Sequence, residues 1–335
     1  MTRHSTNPRA DWPAKVEQVG LTYHSHPHGP YWDESACYEL TADEVAALEA
    51  AANTLHHLCI EAADAVIRNG WWQRLGIPAV AVPSILASWE RDDFSVYGRF
   101  DFAFDSSAPP KLLEYNADTP TAVFETAVFQ WSWLEDAKER RIVPKDADQF
   151  NSLHERLIEG WKTIGKGRTL YLAGITDSAE DVGTISYLQD TAAQAGLPTE
   201  ISAMTQIGRA PQGGFVDAKD RPIELMFKLY PWEWMMREAF GPSLPGAATQ
   251  FVEPPWKAIL SNKGILPLLW AMYPNHPNLL PAYFDDDPKA AELGNSYVRK
   301  PLYSREGANV DLVVGGATVD RDGGPYGAEG FIRQA

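Results

Sequence analysis

Four residues in a short stretch of this chain are of the types that handle metal and phosphate. Arg99 and Asp101 stand two apart in FSVYGRFDFAFD (94–105), and Glu114 and Asn116 stand two apart in KLLEYN (111–116). Both stretches alternate in the manner of strands, and APP between them supplies a turn. Residues two apart on a strand share a face. Pairing the strands would therefore bring two carboxylates and an amide oxygen together beside a guanidinium. Hard oxygen donors of this kind suit Mg²⁺, which takes few protein ligands and completes its shell with water and phosphate oxygens. Arg99 would then face the charge that develops on a transferring phosphoryl group. The spacing alone also describes a solvated strand face with a local ion pair, and that is its plainer reading.

Three lysines and one loop extend the pattern. Lys300 ends a strand-like YVRK, Lys263 opens a helix in SNKG, and Lys228 sits near the end of an apolar run. Lysines at such places can reach phosphates as point charges, though each taken singly reads as a surface charge. The loop YSREGAN (303–309) has the small and polar composition that folds over a triphosphate, with Arg305 as a mobile cation; a plain hairpin turn is the alternative. Walker A spacing is missing, and no G-x-G-x-x-G follows a strand. There is no G-x-S-x-G and no H-E-x-x-H. HSHPHGP (24–30) holds three histidines and reads as a turn-rich segment rather than a metal site.

The elements that must position these residues alternate between helix and strand. Residues 41–69 form a long amphipathic helix with Thr41 and Glu44 as a capping pair and Gly70 at its end. After the two strands, DTPTAVFETAVFQWSWLED starts with cap chemistry (Asp118 or Thr119, then Pro120) and continues at helical spacing. Helices are expected at 147–163 and 181–195, with strands at 169–175 and PTEISAM. The segment 213–228 resembles a hairpin, WEWMMREAF and SNKGILPLLWAMYPN read as short helices, and YVRKPLYSREGANVDLVVGG as two strands about a loop. This rhythm indicates an α/β (α+β) protein. It divides into an N-terminal helical and α/β region over 1–225, carrying the metal and substrate strands, and a nucleotide-binding region over 226–335.

Composition sets the outer limits. With 335 residues, 44% hydrophobic and 22% charged, the chain can bury a full core without disulfides. Its net charge of −16 argues against a nucleic-acid binder and is compatible with cationic small substrates. The two cysteines, Cys37 and Cys59, have no metal-type spacing and are expected as free thiols. No apolar leader and no run of about 18 apolar residues is visible, so a cytoplasmic location is expected, with no membrane partner.

RFDF (99–102), LLEYNADTPT (112–121), FKLYPWEWM (227–235), SNKGILPLLW (261–270), RKPLYSREGANV (299–310) and GFIRQA (330–335) together resemble the glutathionylspermidine synthase family. The resemblance runs from about the N-terminal fifth to the last residue. It implies an ATP-grasp ligase fold with a pre-ATP-grasp-like N-terminal region. It also implies ATP- and Mg²⁺-dependent joining of a carboxylate to an amine through an acyl phosphate. Carried over, Asp101, Glu114 and Asn116 would hold Mg²⁺, and Arg99 would stabilise the transferring phosphoryl group. Thr119 would contact the acyl substrate, Lys263 and Lys300 would bind nucleotide, and Glu306 and Gly307 would belong to the loop over ATP. Gln334 would fall in the hinge strand that meets adenine. The expected substrates are a glutathione-like peptide or amino acid and a polyamine or other amine; the resemblance does not specify oligomeric state. Two departures from the family pattern are expected: an N-terminal amidase region is lacking, and family members continue past GFIRQA with further strands and another arginine. The C-terminal part of the ATP-grasp domain is therefore expected to be missing, and a non-catalytic nucleotide-binding or scaffold protein derived from the family is the alternative function.

Overall fold

The computed structural model describes residues 1–335 except Pro27, His28, Lys166 and Gln212. Part of the three-histidine segment thus lies outside the described residues.

Two apolar runs, LYLAG (170–174) and LMFKL (225–229), are buried along their whole length, as strands covered on both faces must be. They form the centre of a parallel sheet in the spatial order Gln250–Val252, Leu225–Leu229, Leu170–Gly174, Thr199–Ala203. Residue 225, the expected boundary between the two regions, opens one of these central strands. Leu170, Leu172, Leu225, Phe227 and Leu229 pack on one side with Trp161, Ile185 and Leu188 of the helices Leu153–Gly165 and Ala179–Gln194. Tyr171, Ala173 and Met226 face the other side and join a core shared with the rest of the molecule.

A second sheet, antiparallel, has the order Ala282–Phe284, Phe331–Gln334, Tyr297–Pro301, Asp311–Val314, Ala317–Arg321. The hairpin Arg99–Ala103 with Lys111–Asn116 stands against it. Behind both lies the long helix Ala42–Asn69, whose Leu55, Cys59, Ala62 and Val66 share a core with Leu112, Tyr115 and Ile332. Its ends are closed as expected. The Thr41 hydroxyl accepts from the Glu44 N–H, the Glu44 carboxylate accepts from the Thr41 N–H at 2.8 Å, and Gly70 takes a left-handed conformation at φ 65°. Among the described residues no helix is long and apolar enough to cross a membrane. Both cysteines are free thiols.

Three local expectations are corrected. Residues 213–228 are a hairpin only in part: Phe215–Asp217 and Arg221–Ile223 meet antiparallel about a polar turn, with Val216 bridged to Pro222, but Leu225–Leu229 leaves it to pair in parallel with Leu170–Gly174. The first site strand is shorter than the alternation suggested, because the Val96 and Tyr97 N–H groups donate to the buried Glu253 carboxylate instead of to a neighbouring strand. Neither Asp118 nor Thr119 caps the helix that follows. Helical structure begins beyond Ala122, which is left-handed at φ 67°, and runs at once into a π-helical turn, Glu125–Phe129.

Candidate active site

The two site strands pair antiparallel with Arg99 opposite Asn116 and Asp101 opposite Glu114. The expected convergence is therefore present. Gly98 lets the strand enter close to Tyr115, since a Cβ there would stand 2.7 Å from the ring. Asn116 Nδ2 lies 3.1 Å from both Asp101 Oδ2 and Glu114 Oε1, so its carboxamide bridges the carboxylates. Arg99 Nε donates to Asp101 at 2.7 Å, and its guanidinium also reaches the Thr121 carbonyl and hydroxyl. Lys263 arrives from a distant part of the chain, with Nζ 2.8 Å from Glu114 Oε2. Burial opposes the charge on Glu114, but Lys263, Asn116 and Lys300 outweigh it and hold the carboxyl at about 2. The donor set fits Mg²⁺: two carboxylates flank an amide that presents an oxygen once it is turned over. Among the described residues, no group of three or more His, Cys, Asp or Glu side chains forms a metal cluster of its own.

Lys300 and Gln334 lie side by side on neighbouring strands of the antiparallel sheet. Lys300 Nζ donates to Gln334 Oε1 at 2.7 Å and to the Leu113 carbonyl at 2.9 Å, while Gln334 Nε2 donates to the Leu112 carbonyl at 2.9 Å. Both side chains thus fasten the sheet to the metal hairpin. Burial lowers the Lys300 pKa to about 8, with Glu114 opposing the shift.

Arg305 crosses from its loop to Thr119, donating to the hydroxyl at 2.6 Å and to Glu233 at 3.1 Å. Glu306 and Gly307 follow at φ 52° and 76°, left-handed positions that a tight loop requires. Lys228 does not join Lys263 and Lys300. It is fully buried, paired with Asp118 and bonded to the Tyr230 carbonyl, and Asp118 in turn accepts from the Trp232 N–H at 2.8 Å. That pair ties the loop after Asn116 to the end of a central strand.

Sequence reasoning missed one wall of the site. Glu125 opens the π-helical turn, is 6% exposed, and accepts from Tyr23 at 3.0 Å and Tyr31 at 2.7 Å through Oε1, while Oε2 is buried with no hydrogen-bond partner. Glu180 lies close by: its carboxyl is raised by burial and by the charges of Glu125, Glu306 and Asp181, with Arg99 opposing. Asp181 is raised by burial, with Glu306 adding to it and the Ile175 N–H, Ser178 and Arg305 opposing. The four carboxylates make an acidic face beside Arg99 and Arg305. A π turn is a sequence-silent signal, but such turns often mark functional positions.

The family model described as "Glutathionylspermidine synthase preATP-grasp" matches residues 3–335. A "Putative acid--amine ligase" of Haemophilus influenzae is 40% identical over 310 residues, covering 90% of this chain and 77% of the relative. The "Trypanothione synthetase" of Crithidia fasciculata is 28% identical, covering 84% of this chain and 46% of its own length. The "Bifunctional glutathionylspermidine synthetase/amidase" of Escherichia coli is 27% identical, with 82% and 48% covered. The chain therefore spans about half the length of these last two relatives. In fold it is similar to a glutathione synthetase-like effector from Globodera pallida, with a TM-score of 0.55, 9% identity, and 98% of this chain and 82% of that one covered. Helices, a parallel sheet, an antiparallel sheet and this fold likeness bear out the mixed α/β expectation, and by the match along nearly its whole length the chain belongs to the glutathionylspermidine synthase preATP-grasp family.

Proposed function

We propose that this protein is an ATP- and Mg²⁺-dependent ligase that joins a carboxylate to an amine. The acyl donor is a glutathione-like peptide or an amino acid, and the acceptor is a polyamine or another amine. The observation that carries this reading is the convergence of Arg99, Asp101, Glu114, Asn116 and Lys263 on one hairpin face. Asp101, Glu114 and Asn116 would hold Mg²⁺, which neutralises phosphate charge when bound. A donor carboxylate oxygen attacks the γ-phosphorus of ATP and ADP leaves; the amine then attacks the acyl carbon, phosphate leaves, and the amine gives up a proton. Arg99 steadies the transferring phosphoryl group, and Lys263 and Lys300 hold the nucleotide phosphates. Arg305, held by Thr119 and Glu233, brings its loop with Glu306 and Gly307 over the site and keeps water from the acyl phosphate. Thr119 would meet the acyl substrate. The acidic face of Glu125, Glu180, Asp181 and Glu306 suits a cationic acceptor.

The test is ADP release and product mass with ATP, Mg²⁺ and a panel of peptides and amines. Asp101→Asn and Glu114→Gln are each expected to cut amine-dependent turnover by roughly 100-fold or more while far-UV circular dichroism is unchanged. Retained activity in both variants would remove the metal role. Absence of amine-dependent ADP with every pair would sink the ligase reading and favour a nucleotide-binding or scaffold role.

A further inference from the structure

The parallel sheet changes direction once. From Leu170–Gly174 the chain passes to Thr199–Ala203 on one side, and later returns as Leu225–Leu229 on the other. In open α/β sheets, ligands bind outside the carboxyl ends of the strands at such a switch point. Here a cavity of about 420 Å³ opens there, between the loop that follows Gly174 and the segment that starts at Tyr230. That volume is within the usual range for small-molecule sites, about 300–1,000 Å³.

The cavity lies on the Met226 and Phe251 side of the sheet. Leu172, Phe227 and Leu229 face the opposite side, where the helix carrying Glu180 and Asp181 packs. It is therefore a different space from the acidic face of the candidate active site. Met204, Phe215, Met226, Met235 and Phe251 supply an apolar lining, and three of these are methionines, which adapt to ligand shape. Its charged lining is of one sign. Asp177 and Glu238 are both exposed, and among the described lining residues there is no Lys, Arg or His. The Tyr230 hydroxyl donates to Glu238, which fixes that carboxylate beside the opening. Arg237, next in sequence, points elsewhere, to the Glu233 and Gly76 carbonyls and Glu329.

We propose that this cavity is a second binding site, for a primary amine with an aryl or alkyl body: the apolar body enters among the methionines and phenylalanines, and the ammonium stays at the Asp177 and Glu238 carboxylates. A neutral molecule would leave those carboxylates unused, an acid would be repelled by them, and a polyamine would have no apolar body to bury. The inference concerns binding alone and does not depend on the ligase reading, so it is tested without ATP.

The full chain is titrated calorimetrically with 2-phenylethylamine, and in parallel with 2-phenylethanol and spermidine. The amine is expected to bind at least about tenfold more tightly than either control. Glu238→Gln is expected to weaken the amine about fivefold or more and leave the alcohol unchanged. Met204→Trp, which fills the half-exposed edge of the cavity, is expected to abolish saturable binding, with circular dichroism reporting that the chain is folded. Equal binding of amine and alcohol, tighter binding of spermidine, no saturable binding to the unaltered chain, or loss of binding in Glu180→Gln but not in Glu238→Gln would each overturn the proposal.

Discussion

Lys300 gives the sharpest test of where nucleotide charge is received. Its amine is buried against the Leu113 carbonyl and Gln334 Oε1. Burial lowers its pKa to about 8; Glu114 and Asp101 oppose that shift and Lys263 adds to it. A triphosphate placed on this amine restores the proton, so binding and protonation are linked. The sign follows from the direction of the shift. The free protein has the lower pKa, so affinity is fully present below pH 8 and declines as the pH rises above it. With a pKa of about 8, the free protein carries the cation in about 0.9 of molecules at pH 7, about 0.5 at pH 8 and about 0.1 at pH 9. The apparent Kd for ATP with excess Mg²⁺ is then expected to weaken about tenfold between pH 7 and pH 9, or about 1.4 kcal/mol. Proton uptake on binding rises over the same interval from about 0.1 to about 0.9. ATP itself interferes little, because the last phosphate proton leaves near a pKa of about 6. Calorimetry at each pH in two buffers of different ionisation enthalpy measures both quantities. Lys300→Arg keeps its charge throughout and is expected to flatten the affinity profile and abolish the uptake. A flat profile in the unaltered protein, or the same uptake in Lys300→Arg, would refute the placement of phosphate at Lys300.

Two further predictions concern the scaffold. Asp118→Ala leaves Lys228 buried without its partner, both side chains being 1% exposed or less, and is expected to lower the unfolding free energy by about 3–5 kcal/mol in urea titration; a loss below about 1 kcal/mol would show that the pair does not hold the loop. Thr41→Ala removes the capping hydroxyl of the long helix and is expected to lower stability by about 1 kcal/mol without changing turnover, so an altered kcat would contradict a purely structural role.

What was legible in the sequence was local. The hairpin over 99–116 could be read because two-residue spacing and the turn between the strands are short-range signals, and pairing then puts Asp101 against Glu114 without further information. The capping of the long helix was legible for the same reason. Contacts between distant segments were not. Asp118 and Lys228 are 110 residues apart, and each has an ordinary local explanation, as a helix cap and as a surface charge. Leu225–Leu229 reads as a hairpin limb in the sequence because a fully buried parallel strand is a plain apolar run, and an apolar run does not name its partner. Glu125 sat unnoticed in a helical pattern, because the π turn that opens at it changes hydrogen bonding without changing composition. The placing of Lys263 and Lys300 in a common site came from family resemblance, since no spacing rule connects either lysine to Glu114.

The ion pairs that fill the site have a thermodynamic consequence. Three of the site's cations are already matched to carboxylates: Arg99 to Asp101, Lys263 to Glu114, Arg305 to Glu233. On the proposed reading, a metal arriving at Asp101 and Glu114 would take those carboxylates away from Arg99 and Lys263 and free both cations for an anion. A phosphate drawing the same cations away uncovers the carboxylates for a metal. Each ligand thus performs part of the other's desolvation, and by reciprocity the two raise one another's affinity by the same factor. The pairing would then leave the site poorly disposed toward either ligand alone and cooperative toward both together.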